Sequence, residues 1–263
     1  LFDGRHMRDP LFSGIKLALL DQDGTLYRGN RPLPGAVQFV KRLRESGIQP
    51  LFLSNNTSRP LAQTMKNLSD FGFEVKEHEV RDAGWATRAF LKREKLQRIA
   101  LFAQPAVVED FCAEGFAIDF EQPDAVVLAY DTTFTFDKLV IAHKLISQGV
   151  RFIATHPDRL CPTESGFVPD IGSMIDALRS AGSPEPLVIG KPSPTMVLPI
   201  LREWQCDPKE CLMVGDRLYT DIRMAEENGL RSLLVLTGEA DRASLSESPW
   251  KPTAVVDSLS DLL

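Results

Sequence analysis

Short apolar runs alternate along the chain with segments whose apolar positions recur every three or four residues. Residues 15–20, with Leu17, Ala18, Leu19 and Leu20 in succession, predict a buried strand. Leu33, Ala36, Val37, Val40 and Leu43 then fall on one helical stripe, which Gly47 ends. A second strand is predicted over 50–53. The next helix is opened by Ser58 and Pro60, with Leu61, Met65 and Leu68 on its inner face. The same rhythm returns near the other end. Strands are predicted over 187–189, 211–214 and 231–236. Between them lie a helical stripe (Met196, Val197, Ile200, Leu201, Trp204) and a helix over 221–228 closed by Gly229. The middle of the chain has strands of its own over 98–103, 125–130 and Arg151–Ala154, with helices over Phe136–Ser147 and 171–181. It ends in the breaker-rich stretch Ala181-Gly182-Ser183-Pro184-Glu185-Pro186. Strand alternating with helix implies an α/β fold, a parallel sheet covered on both faces. The expectation is a Rossmann-like, doubly wound core built from residues 1–81 and 187–263, with a second α/β unit, 82–186, inserted into it.

Composition narrows the function classes. With 263 residues, 43% hydrophobic and 25% charged, the chain has the make-up of a soluble globular protein. Its net charge of −6 argues against a nucleic-acid binder and against a polybasic membrane-surface protein. Apolar runs such as 125–129 fall far short of the ~18 residues a membrane helix needs, so neither nucleic acid nor membrane is an expected partner. Cys112, Cys161, Cys206 and Cys211 show neither a C-x-x-C pair nor zinc-ligand spacing. They read as buried thiols in a reducing compartment, which places the protein in the cytoplasm. Leu1 to His6 precede Met7, contain no apolar signal core and read as a non-native leader.

Four polar clusters each follow a predicted core strand directly. They are Asp21-Gln22-Asp23-Gly24-Thr25, Ser54-Asn55-Asn56, Gly190-Lys191-Pro192-Ser193-Pro194, and Gly215-Asp216 with Thr220-Asp221 beyond. In an open parallel sheet the strand carboxyl ends share one edge, where ligands bind, so the clusters are expected to converge. Three carboxylates brought together repel unless a cation holds them. An all-oxygen donor set points to Mg²⁺, which also takes phosphate oxygens. A lysine, a hydroxyl and loop amides alongside can cradle a phosphoryl group. One carboxylate then remains to attack phosphorus, and another two residues on can handle the leaving-group proton.

These residues resemble the haloacid dehalogenase (HAD) superfamily, whose four motifs are D-x-D-G-T-L, a strand-end Ser/Thr, a Lys in G-K-P, and G-D-x-x-x-T-D. The local forms Ser54-Asn55-Asn56-Thr57-Ser58, Thr155-His156-Pro157-Asp158, Gly190 to Pro194, Val214 to Ile222 and Val235-Leu236-Thr237-Gly238 are similar to the NagD-like, p-nitrophenyl phosphatase branch, subfamily IIA. The resemblance implies the HAD fold with a C2-type cap at 82–186. It implies a Mg²⁺-dependent phosphatase of small phosphorylated metabolites, such as sugar phosphates, nucleotides or glycerol phosphate. By the same resemblance Asp21 is the nucleophile and a metal ligand, while Asp23 is the general acid and base and ligates metal through its carbonyl. Ser54, Asn55, Asn56 and Lys191 hold phosphate, Asp216 completes the metal set, and Asp221 acts on Lys191 or a metal-bound water. Caps of this branch often contribute to homodimers.

The chain departs from the family pattern twice. The usual T-N-P-D reads Thr155-His156-Pro157-Asp158, and the usual P-G-A-G reads Pro169-Asp170-Ile171-Gly172. Both lie in the cap, so His156, Pro157 and Asp158 are the expected substrate-specificity residues. Plainer roles stand beside several of these: Asp221 alone could equally be a helix N-cap, Ser54 and Asn55 turn residues, Asn56 a structural hydrogen-bonder, and His143 a packing residue. Gly24 is expected for its backbone geometry rather than for chemistry. A phosphomutase on the same chemistry, or a catalytically silent phosphate-binding protein, are the alternative functions.

Overall fold

The computed structural model describes residues 10–163 and 166–263, so the expectation for Leu1 to His6 lies outside the described residues. Contacts divide the chain into two compact units. The first comprises the residues up to Ser54, Met65–Arg81 and Met196–Leu263; the second comprises Asn55–Thr64 and Asp82–Thr195.

In the first unit, β1 (Leu17–Leu20) is buried along its whole length, as a central parallel strand must be. The hairpin β2 (Tyr27–Arg28) and β3 (Arg31–Pro32) follows it. Helix α1 (Ala36–Glu45) buries Ala36, Phe39, Val40 and Leu43, the stripe read from the sequence with Phe39 in place of Val37. Next come β4 (Gln49–Ser54), α2 (Leu61–Asp70) and β5 (Val80–Asp82).

The second unit begins with α3 (Ala83–Arg93), β6 (Arg98–Phe102), α4 (Pro105–Ala113), β7 (Ala117–Ile118) and β8 (Ala125–Leu128). It continues with α5 (Phe136–Ser147), β9 (Arg151–Ala154), the antiparallel hairpin β10 (Leu160–Thr163) and β11 (Gly166–Pro169), α6 (Ile171–Ser180) and β12 (Leu187–Val188). Its sheet has the order β12-β9-β8-β6-β7 with parallel pairing throughout. Ala100, Phe102, Val126, Leu128, Phe152 and Ala154 pack there against Ala142, Leu145 and Ile146 of α5 and Ile171, Ile175 and Leu178 of α6.

The chain then returns through α7 (Pro194–Glu203) to β13 (Cys211–Gly215), α8 (Arg223–Glu227), β14 (Arg231–Val235), α9 (Arg242–Glu247) and β15 (Ala254–Val256). The first unit's sheet has the order β15-β14-β13-β1-β4-β5. From β1 the chain moves outward on one side through β4 and β5, and much later on the other through β13, β14 and β15. The carboxyl end of β1 is therefore a topological switch point, where the connections part and leave a crevice.

Three expectations change. The strand at 187–189 exists but pairs in the second sheet, Leu187 with Ile153 and Val188 with Ala154, so Gly190 and Lys191 do not follow a strand of the first sheet. A two-residue apolar run carries no address of its own. Helix α6 packs on the second sheet, and the short connection after it can only deliver the chain beside β9. The helix predicted over 221–228 is instead a π-helical turn, Leu218–Ile222, running into α8. Of the thiols expected to be buried, Cys206 and Cys211 are, but Cys161 is half-buried and Cys112 exposed. The buried stripe of α4 is Val107 and Phe111, four apart, and Cys112 points off it.

Candidate active site

The register of β1 on β13 assembles the first cluster. Leu20 pairs with Val214, and the Asp21 N–H donates to the Val214 carbonyl at 2.9 Å. Asp21 and Asp216 thus leave neighbouring strands at one level. The π-helical turn after β13 brings Asp221 back, so that carboxylate oxygens of Asp21, Asp216 and Asp221 lie within 4.8 Å of one another, all three buried. The Thr25 hydroxyl lies 3.2 Å from Asp21 Oδ2 and 3.2 Å from Asp216 Oδ1, its one hydrogen shared between them. Backbone amides supply further donors, Glu239 N–H to Asp216 Oδ2 at 2.7 Å and Arg217 N–H to Asp221 Oδ2 at 3.1 Å. Burial, and then the charges of Asp21 and Asp221, push the Asp216 carboxyl well above the usual carboxylate range. A divalent cation among the three would remove that penalty, and hard carboxylate oxygens are the donors Mg²⁺ takes. The cluster fits such an ion.

Two glycines allow this packing. Gly24 has φ +86°, and a Cβ there would meet Asp216 Oδ2 at 2.5 Å; a Cβ at Gly238 would meet the same oxygen at 1.7 Å. Asp23 is half-buried and outside the carboxylate cluster; the Tyr27 hydroxyl donates to its Oδ2 at 3.3 Å and to Gln22 Oε1 at 3.2 Å.

The second unit carries its own polar network. Asn55 Nδ2 donates to the Lys191 carbonyl at 3.0 Å, and the Lys191 N–H returns a bond to Asn55 Oδ1 at 2.8 Å. Asn55 Nδ2 also lies 3.4 Å from both carboxylate oxygens of Asp158. Thr57 and Thr155 meet through their hydroxyls at 3.3 Å, and the Gly190 N–H donates to the Thr155 carbonyl at 2.7 Å. Lys191 is buried, and so are Asn55, Thr155, His156 and Asp158. The Asn56 side-chain Oδ1 accepts from the Ser58 N–H and hydroxyl, which closes the turn after β4.

Comparison with known proteins agrees with this geometry. Residues 18–117 match the family described as haloacid dehalogenase-like hydrolase, and residues 188–262 match a HAD-hydrolase-like family. A 5'-nucleotidase of Bacillus subtilis is 32% identical over 92% of this chain and 95% of its own length. The chain belongs to the haloacid dehalogenase-like hydrolases. A 4-nitrophenylphosphatase from Thermotoga maritima shares its fold at TM-score 0.91 and 37% identity, over 96% of this chain and 97% of that one. A glycerol phosphate phosphatase from Mycobacterium tuberculosis, solved in complex with magnesium, matches at TM-score 0.87 and 30% identity, over 96% of this chain and 77% of that one.

In this haloacid dehalogenase-like hydrolase, Asp21, Asp23, Ser54, Asp216 and Asp221 belong to the first unit. Asn55, Asn56, His156, Pro157, Asp158 and Lys191 belong to the second. The first set converges through Asp21, Asp216 and Asp221; the second converges through Asn55, Asp158 and Lys191. Asp221 lies with Asp21 and Asp216 among the clustered carboxylates. The sequence reading assigned no role to Thr25, although its place four residues after Asp21 in D-x-D-G-T was the available signal. It also overlooked Asp170 as a neighbour of His156, since fourteen positions of loop and hairpin separate them and no spacing rule joins them.

Proposed function

We propose that this protein is a Mg²⁺-dependent phosphatase of small phosphomonoesters, acting through an aspartyl-phosphate on Asp21. The observation that carries the reading is the buried trio Asp21, Asp216 and Asp221 at the switch point after β1. When bound, Mg²⁺ neutralises the carboxylates and the phosphate so that anion can attack anion. Asp21, Asp216 and the Asp23 backbone carbonyl would hold it, with the Asp221 carboxylate beside them. An Asp21 carboxylate oxygen attacks phosphorus and the ester P–O bond breaks. Asp23, outside the carboxylate trio and held by Tyr27, gives its proton to the departing oxygen. In the second half-reaction Asp23 takes a proton from water, which attacks the same phosphorus, frees Asp21 and releases inorganic phosphate.

The Ser54 hydroxyl, the Asn55 backbone N–H and the Lys191 ammonium bind the phosphoryl oxygens. The Asn55 side chain is committed to Lys191, so its share rests on its backbone. Residues 82–186 serve as the cap. The substrate class, from sugar phosphates to nucleotides and glycerol phosphate, is supported by the activities for which the relatives are named. The enzyme works on cytoplasmic metabolites. It pairs as a homodimer through α5, where Phe136, Val140 and Ile141 stand exposed. A phosphate-release screen over small phosphomonoesters, with and without Mg²⁺, tests the reading. Inorganic phosphate formed only with the metal supports it. Isomerised phosphate ester without free phosphate identifies a mutase, and no turnover identifies a binding protein.

A further inference from the structure

His156 follows β9, and its ring is buried to 1% exposure with neither nitrogen hydrogen-bonded among the described residues. Two buried carboxylates face it. Nδ1 lies 3.6 Å from Asp158 Oδ2, and Nε2 lies 3.7 Å from Asp170 Oδ1. A carboxylate only accepts hydrogen bonds and a neutral imidazole has one N–H, so only an imidazolium presents a donor to each side. Each buried polar group is costly without a polar partner, and here the ring and the two carboxylates face one another.

Both carboxylates are also tied outward. Asp170 caps α6, its Oδ1 accepting from the Ile171 N–H at 2.6 Å. Asp158 faces the Asn55 amide, which exchanges two hydrogen bonds with the Lys191 backbone. Backbone bonds from Gly172 N–H to the Asp158 carbonyl and from Asp170 N–H to the Arg159 carbonyl, both 2.8 Å, stitch the loop to the start of α6.

We infer that His156 is a positioning residue. Paired with Asp170, it holds Asp158 against Asn55 and so fixes the loop that carries Lys191. The inference rests on the phosphatase reading, in which Lys191 meets the transferring phosphoryl group. Because the ring acts through other residues, its loss lowers kcat alike for every substrate and leaves KM little changed. A ring that contacted a leaving group would instead alter kcat/KM for some substrates only.

The test is a double-mutant cycle in the full chain with Mg²⁺, using His156→Asn, Asp170→Asn and both together. Asparagine caps a helix as well as aspartate does, so α6 survives. Each single variant is expected to lower kcat about five- to a hundredfold on both p-nitrophenyl phosphate and glycerol 3-phosphate, the range for coupled neighbours. Hydrogen exchange at the Lys191 N–H should quicken in both. The double variant should lose little more than the worse single variant, because both changes break the same His156–Asp170 pair and release Asp158. A loss confined to one substrate overturns the inference, as does a lower Tm with kcat per folded enzyme unchanged, or single effects that merely add. If the parent hydrolyses no phosphomonoester, the functional reading fails. Lys191 exchange then decides the positioning alone: quickened by each single change and little further by the double, or unmoved and the inference lost.

Discussion

Asp216 shows how far single residues depend on their neighbours. Burial and two adjacent carboxylates raise its pKa, while the bare backbone of Gly24 and Gly238 leaves it room. A Gly238→Ala change would put a Cβ 1.7 Å from Asp216 Oδ2, so the carboxylate must move. The expected outcome is weaker Mg²⁺ activation at nearly unchanged secondary structure, read by titrating the metal against initial rate and by circular dichroism. Asp21→Asn keeps shape but loses the attacking charge, and turnover should fall by about a thousandfold or more. Asp23→Asn should hurt alkyl phosphates far more than p-nitrophenyl phosphate, whose phenolate leaves without a proton. Equal losses on both would show that Asp23 is not the acid. Asp21 and Asp216 were legible from sequence as carboxylates at predicted strand ends; Asp221 as their neighbour was not, because only the π-helical turn after β13 returns it to them. The burial of His156 was not, because its compensating partner Asp170 is near only after the β10–β11 hairpin folds.

At the scale of elements, Glu79 joins α1, β4 and the start of β5. Its carboxylate, with no solvent exposure, accepts both Arg44 guanidinium nitrogens at 2.7 and 2.6 Å, Gln49 Nε2 at 2.7 Å and the Lys76 N–H at 3.0 Å. Burial alone would raise the Glu79 pKa, but the bonds from Arg44, Gln49 and Lys76 outweigh it and leave the carboxyl below its ordinary value. A lowered folded-state pKa stabilises the protein above the unfolded-state value of about 4.3. That contribution is lost as pH falls through the lower folded value. Glu79→Gln should therefore cost about 1.5–3 kcal/mol near neutral pH, measured by urea unfolding. The deficit should shrink toward strongly acidic pH, and one that stayed constant there would place the stabilisation elsewhere. The strands β1, β4, β13 and β14 were legible as apolar runs with polar ends. The sheet to which β12 belongs was not, since 187–189 has the same character as a core strand and is placed only by where α6 delivers it.

The whole molecule joins residues from both ends of a long sequence around β1, with the second unit's 82–195 intervening. Among the described residues no helix is long and apolar enough to cross a membrane. The α/β class follows from the alternating pattern. That the second unit reaches Thr195 does not show in apolar periodicity, because Gly190 to Pro194 joins it through Thr155 and Asn55. Because only folding brings the three carboxylates together, an ion held by them would favour the folded chain over the unfolded one. Mg²⁺ at a hundred times its dissociation constant should stabilise the fold by about 2.7 kcal/mol, seen as a raised Tm that Asp216→Asn reduces. The central claim is that Asp21 carries the phosphoryl group between substrate and water. Mixing enzyme with p-nitrophenyl phosphate and Mg²⁺, quenching in acid within one turnover and sequencing peptides by mass spectrometry tests it directly. The expected result is a phosphoryl group on Asp21, absent from the Asp21→Asn variant. Product formed at the normal rate with no phosphorylated enzyme, or with the group on another residue, would contradict it.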